Sequence, residues 1–159
     1  MRFCGVEEAK ELADMAADIW MDYYTGFLDS EMIEYIVKMV QSESAIKQQI
    51  EDGYLYSYIM DGNDKAGYFC VVPEDKSLFM SKLYLSKDFR GKGLGSKAID
   101  DILGLGKMMK KEKVYLRANK DNKPSIEFYK RKGFVITEDI IEDIGNGFFL
   151  DDYKMEYCY

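Results

Sequence analysis

Leu83-Tyr-Leu-Ser-Lys-Asp-Phe-Arg-Gly-Lys-Gly-Leu-Gly-Ser-Lys-Ala-Ile99 is the stretch on which the rest of the chain is read. A branched and aromatic run ends, glycines alternate at positions 91, 93 and 95, and a helical pattern begins. Glycine lets the backbone turn successive N–H groups toward one point. A helix start adds unpaired donors and the positive end of a dipole, so a polyphosphate has a natural seat. Arg90 and Lys92 add positive charge. The spacing is neither G-x-G-x-x-G, which needs glycine at Ser96, nor G-x-x-x-x-G-K-[ST], which points away from NAD and ATP. The local pattern favours phosphate binding over a tight ligand-free connection, and both readings stand at this point.

Outward from this stretch, the texture upstream is β. Tyr54 to Met60, Ala66 to Val72 and Leu78 to Leu85 are aromatic and branched, with Asp61-Gly-Asn-Asp64 as a turn, which predicts an antiparallel meander. Downstream, Ala98, Ile102, Leu105 and Met109 predict a helix from Ser96 to about Lys110, although Gly104 and Gly106 each cost roughly 1 kcal/mol against alanine. A strand at Val114 to Arg117 completes a strand–helix–strand unit whose two strands should run parallel. A helix from Pro124 to Lys132 stops at Gly133. Phe134 to Ile140 and Phe148 to Tyr157 then form a hairpin across Gly145-Asn-Gly147. At the other end, a short strand at Phe3 to Val6 precedes three amphipathic helices. The first carries Leu12, Met15, Ala16, Ile19 and Tyr23, the second follows Ser30 as a cap, and the third ends at Gly53. The order β-ααα-βββ-α-β-α-ββ predicts one α/β domain over 1–159 with a mixed sheet.

Composition bounds the function. The chain has 159 residues, 47% hydrophobic and 32% charged, which fits a folded globular protein. No uninterrupted apolar run suits a membrane span, and the N-terminal residues lack the order of a secretory signal, so a soluble cytoplasmic protein is expected. Cys4, Cys70 and Cys158 are odd in number and far apart, which argues for free thiols. The absence of histidine excludes Ser-His-Asp and Cys-His nucleophiles and leaves Tyr, Asp, Glu, backbone or water for proton chemistry. A net charge of −7 weighs against nucleic acid and suits either a cationic small substrate or plain solubility.

Arg90-Gly91-Lys92-Gly93-Leu94-Gly95 resembles the R-x-x-G-x-G signature of the GNAT superfamily of N-acetyltransferases. A second pattern resembling that family follows at Asn122-Lys-Pro-Ser-Ile-Glu-Phe-Tyr129 and Arg131-Lys-Gly133-Phe134. The resemblance runs from about Ala66 to Phe134, and more loosely includes the branch with bacterial polyamine acetyltransferases. It implies a mostly antiparallel sheet with one parallel, splayed strand pair around acetyl-coenzyme A, and acetyl transfer to an amine. It further implies that Arg90, Gly91, Lys92, Gly93, Leu94, Gly95 and Ser96 wrap the pyrophosphate, and that backbone N–H groups near Leu83 and Leu85 receive the developing oxyanion. On the same grounds Asn122 contacts the cofactor and Tyr129 is the general acid. A phenol pKa of about 10 lies close enough to that of an alkyl thiol for nearly balanced proton donation.

Many members of the family place a glutamate on the strand before the glycine loop, but Phe79-Met-Ser-Lys82 offers no carboxylate. A water relay ending at Glu74 or Tyr84 is the expected substitute. On the acceptor side, Tyr23, Tyr24 and Phe27, with Trp20, could grip an amine by cation–π contact, or simply form a core stripe. The acids Glu138, Asp139, Glu142, Asp143, Asp151 and Asp152 could attract a polyamine, or be a solvated edge. The expectation is direct attack in a ternary complex on a small primary amine, with no metal and no covalent acetyl-enzyme. Nucleic acid and membrane are not expected as partners, and a homodimer is admitted. Two alternatives stand beside it: a non-catalytic acyl-coenzyme A-binding regulator, and a protein N-terminal or lysine acetyltransferase.

Overall fold

A computed structural model describes residues 1–159. In chain order the elements are α1 (Ala9–Tyr23), α2 (Ser30–Val40), α3 (Glu43–Glu51), β1 (Leu55–Asp61), β2 (Asp64–Pro73), β3 (Ser77–Leu85), α4 (Leu94–Met108), β4 (Lys113–Asn119), α5 (Lys123–Arg131), β5 (Val135–Gly145) and β6 (Phe148–Cys158). The strands form one six-stranded mixed sheet in the order β1-β2-β3-β4-β6-β5. The expected meander and terminal hairpin are both present, and all neighbours are antiparallel except β3 and β4.

Helices cover both faces. Ala98, Ile99, Ile102 and Leu105 of α4 and Ile126 of α5 pack on Phe69, Leu78, Met80, Val114 and Leu116. On the opposite face Leu12, Ala16 and Ile19 of α1 and Ile46 of α3 meet Tyr56, Tyr58, Tyr68 and Cys70. Each large side chain fully buried in this way contributes roughly 1.5–3 kcal/mol. Gly106 does not break α4, because a Cβ there would lie 3.1 Å from Val114 Cγ2, and the missing side chain lets the helix approach β4 closely. The hairpin turn Asn146-Gly147 has φ of 54° and 76°, the double positive that matches the twist of the flanking strands.

Several expectations are corrected. Residues Phe3 to Val6 are not a strand: Cys4 N–H donates once to the Tyr56 carbonyl at 2.7 Å, and a 3₁₀ turn follows at Val6–Glu8. Ser30 is the first residue of α2 and does not cap it; Asp29 occupies the cap position. Helix α4 starts two residues earlier than expected, because Gly93 at φ 80° turns the chain straight into it.

Two features of β3 position the site. Its pairing with β4 covers only Ser77–Phe79 against Lys113–Tyr115, beyond which the two strands part. It also carries a bulge at Ser81, since Cys70 pairs with Lys82 while the adjacent Val71 pairs with Met80. An extra residue flips the alternation of side chains. Leu78 and Met80 face α4, and so do Leu83 and Leu85, whereas Lys82 and Tyr84 face the α1 and α3 side.

Candidate active site

The parted ends of β3 and β4 frame a cavity of about 220 Å³. Met80 to Leu85 line one side, Leu116 to Asn119 the other, and Tyr23 at the end of α1, Tyr24 just after it and Tyr129 from α5 close it. A larger groove of about 830 Å³ lies between β1 and α4, but it holds neither Tyr129 nor the parted strand ends.

At one rim lies the glycine turn. Gly91 and Gly93 have φ of 76° and 80°, conformations in which an L side chain is strained. The N–H groups of Arg90 and Lys97 donate to the carbonyls of Lys87 and Gly93, at 3.3 and 3.0 Å. Those from Gly91 to Ser96 between them find no acceptor within the chain. Six consecutive donors are thus left free where the dipole of α4 is positive. Gly95 differs from the other two glycines: a Cβ there would make ordinary contacts, 3.6 Å to Leu85 and 3.7 Å to Phe128.

The basic side chains near this turn are engaged. Arg90 donates from Nε to the Leu85 carbonyl at 3.0 Å, pairs with Asp22 at 3.1 Å, and lies 4.9 Å over the Tyr23 ring. Lys92 is 3.8 Å from Asp61. Lys132, at the end of α5, donates to Ser96 Oγ at 2.9 Å and Asp100 at 2.6 Å.

Along β3, Ser86 N–H donates to Ala66 of β2 at 2.9 Å. Strand alternation then turns the N–H groups of Leu85 and Leu83 away from β2, toward the gap. The close approach of β2 to β3 here depends on Gly67, whose Cβ would fall 2.0 Å from the Tyr84 carbonyl oxygen.

Tyr129 is partly buried between Phe128 and Phe134, with ring centroids at 5.4 and 5.9 Å. Burial pushes its phenol above the ordinary range, with the neighbouring Tyr23 adding to the shift, so it stays protonated at neutral pH. Asn122 sits at the start of α5, only 4% exposed, yet its side chain does not cap the helix. Its Oδ1 instead accepts from the Tyr23 hydroxyl at 2.8 Å, and that hydroxyl is also 3.3 Å from Ser125 Oγ.

Of the acceptor-side aromatics, Tyr23 and Tyr24 line the cavity and Phe27 packs behind them without lining it. Tyr84 lines it as well, and burial raises its phenol. Glu74 does not: its carboxylate accepts from Ser77 Oγ and Tyr115 Oη, both at 2.7 Å, beside the paired end of β3 and β4. The hairpin acids are largely taken up in ion pairs. Glu142 and Asp152 flank Arg117 at 2.6 and 3.3 Å, and Asp151 and Asp139 flank Lys120 at 2.9 and 3.7 Å.

The residue that sequence reasoning passed over is Lys82. It is 4% exposed, lines the cavity, and has no carboxylate partner. The signal was present, since the apolar positions of β3 switch from even (Leu78, Met80) to odd (Leu83, Leu85), which betrays a bulge.

A parallel strand pair that opens beside a run of free helix-start amides defines a class of acyl-coenzyme A enzymes, and comparison with known proteins agrees. Residues 12–134 match the Acetyltransferase (GNAT) family, and the chain belongs to that family as an acetyl-coenzyme A-dependent N-acetyltransferase. Among solved structures, it is similar to the PaiA N-acetyltransferase of Thermoplasma acidophilum in complex with coenzyme A, at 20% identity and a TM-score of 0.83 over 99% of this chain and 97% of that one. A GCN5-related N-acetyltransferase from Rhodopseudomonas palustris aligns over 99% and 94% at 18% identity, TM-score 0.82. A GNAT family acetyltransferase from Elizabethkingia anophelis with acetyl-CoA bound aligns over 74% and 84% at 16% identity, TM-score 0.63. At such identities the likeness concerns the fold.

Proposed function

We propose that this acetyltransferase acts on a small primary amine by direct attack in a ternary complex. Acetyl-coenzyme A supplies an activated acetyl group as a thioester. The observation that carries the reading is the run of free amides from Gly91 to Ser96 opening onto the gap between β3 and β4. These N–H groups hold the pyrophosphate, and the room at Gly95 is left for a ligand approaching from outside. The N–H groups of Leu83 and Leu85 stabilise the oxyanion, Asn122 orients the pantetheine arm, and Tyr129 protonates the departing sulfur. Tyr23 belongs to the cofactor side through Asn122, which leaves Tyr24 and Tyr84 as the aromatic wall toward the acceptor.

A polyamine is the acceptor that the acidic hairpin suggests. The cavity lining favours a second reading: it contains Lys82, Arg90 and Arg117 and no aspartate or glutamate, which suits an amine whose remaining charge is not positive. Thiol release from acetyl-coenzyme A, measured with spermidine, free amino acids and short peptides, separates the two, since each reading requires its own acceptor to give the highest kcat/KM. The same assay on Tyr129→Phe should show turnover lowered by roughly 10²- to 10⁴-fold. Calorimetry should show acetyl-coenzyme A affinity nearly unchanged, and unaltered turnover removes Tyr129 from the chemistry.

A further inference from the structure

The geometry points to Lys82 as the group that takes the proton from the acceptor ammonium, in the place where no carboxylate is available. This rests on the acetyltransferase reading above. The Ser81 bulge turns Lys82 off the α4 face and into a chamber behind the parted strands. There its Nζ contacts Gln49 Oε1 and Tyr56 Oη and lies 4.8 and 5.9 Å from the centroids of the Tyr56 and Tyr54 rings.

The groups that face it are few. Tyr54 in the link before β1 and Tyr56 on β1 present their phenols, β2 the Cys70 thiol, and α3 only the uncharged Gln49. Across the cavity stand Tyr24 just after α1, Tyr84 of β3, Arg117 of β4 and Tyr129 of α5, and no carboxylate. Burial holds the Cys70 thiol up at about 12 and raises the Tyr56 phenol, so neither supplies a negative charge at neutral pH. An ammonium taken out of water without a counterion is costly, and the amine responds by releasing its proton more easily. Burial accordingly lowers Lys82 to about 8.

A neutral Lys82 amine has a lone pair to offer. The N–H bond of the acceptor ammonium breaks, the proton moves to Lys82 Nζ, and the acceptor keeps the electron pair with which it attacks the thioester. The Lys82 ammonium then returns the proton to water. Arginine could not do this, because a guanidinium stays charged.

The test combines kinetics with direct titration. For the wild type with its best acceptor among spermidine, free amino acids and short peptides, kcat/KM should climb with pH and level off above an apparent pKa near 8. Lys82→Met and Lys82→Arg should both lose that ionisation and fall on the order of 10²-fold in kcat, while acetyl-coenzyme A binds as before in calorimetry. Lysine labelled at Cε should give one NMR resonance titrating near 8 that is missing from Lys82→Met. This readout needs no turnover, and it stands with Lys82→Arg should the methionine variant fold poorly. A Lys82 resonance titrating above 10, or variants that keep the wild-type pH profile, overturns the assignment. A Lys82 that titrates near 8 in a wild type that acetylates none of the amines shows that the acceptor reading has failed, and the proton role falls with it.

Discussion

Helix α3 begins under a side-chain cap, with the Ala45 N–H bonded to Ser42 Oγ at 3.3 Å, whereas α4 begins at a left-handed glycine that has no side chain to cap it. Both helices have the same unpaired first-turn amides to dispose of. One answers part of that need inside the chain and gains stability. The other leaves its donors for something that arrives from outside. Lys82 belongs with α4 in this respect, as a polar group kept short of a charge partner where the strands part.

The comparison is broken most severely at Gly93. Valine there is strained at φ 80° and sets a side chain in the amide cradle, so calorimetry should show acetyl-coenzyme A affinity reduced about 100-fold, some 3 kcal/mol of lost charge-assisted hydrogen bonds. Unchanged affinity makes the start of α4 an ordinary turn. Next comes the stability cost of Lys82. Its folded pKa, about 8, lies below the unfolded 10.4, so the native state is penalised below pH 8 and relieved as pH rises toward 10.4. Buried Tyr and Cys residues titrate in the opposite sense over that range, so the measurement is the difference between wild type and Lys82→Met in denaturant unfolding. The wild type should gain on the order of 3 kcal/mol relative to the variant between pH 7 and pH 11.

A smaller effect sharpens the capped side. Ser42→Ala should cost about 1 kcal/mol in unfolding free energy and leave cofactor affinity untouched. Smallest of all, Asp22→Asn removes the partner of Arg90 in a pair whose side chains are 31% and 38% exposed, where solvent screens the charge. Stability should move by less than about 0.5 kcal/mol. Acetyl-coenzyme A affinity should not fall, and a clear fall in titration would mean that the pair holds Arg90 in its binding position.

What could be read from the residues was what repeats or punctuates. The 3.6-residue spacing through Ile102 and Leu105, the β texture from Tyr54 to Leu85 and the glycines at 91, 93 and 133 fixed the element order almost throughout. What the residues did not make legible depended on a single partner elsewhere in the chain. Asn122 has a capping residue's identity and position, but Tyr23, 99 residues away, claims its side chain. Glu74 is spent on Ser77 and Tyr115 at the wrong end of β3. The hairpin acids looked like a lure for cations until Arg117 and Lys120 were found between them. Lys82 was visible only as the lack of a glutamate, because a one-residue bulge is a faint break in alternation.

Ser81 has a consequence for how this strand can change over evolutionary time. Losing one codon there would turn the outer half of β3 inside out, sending Lys82 and Tyr84 beneath α4 and two leucines toward α1. Single-residue insertions and deletions, tolerated in most loops, are therefore closed to this segment, and any natural drift in its length must come in steps of two.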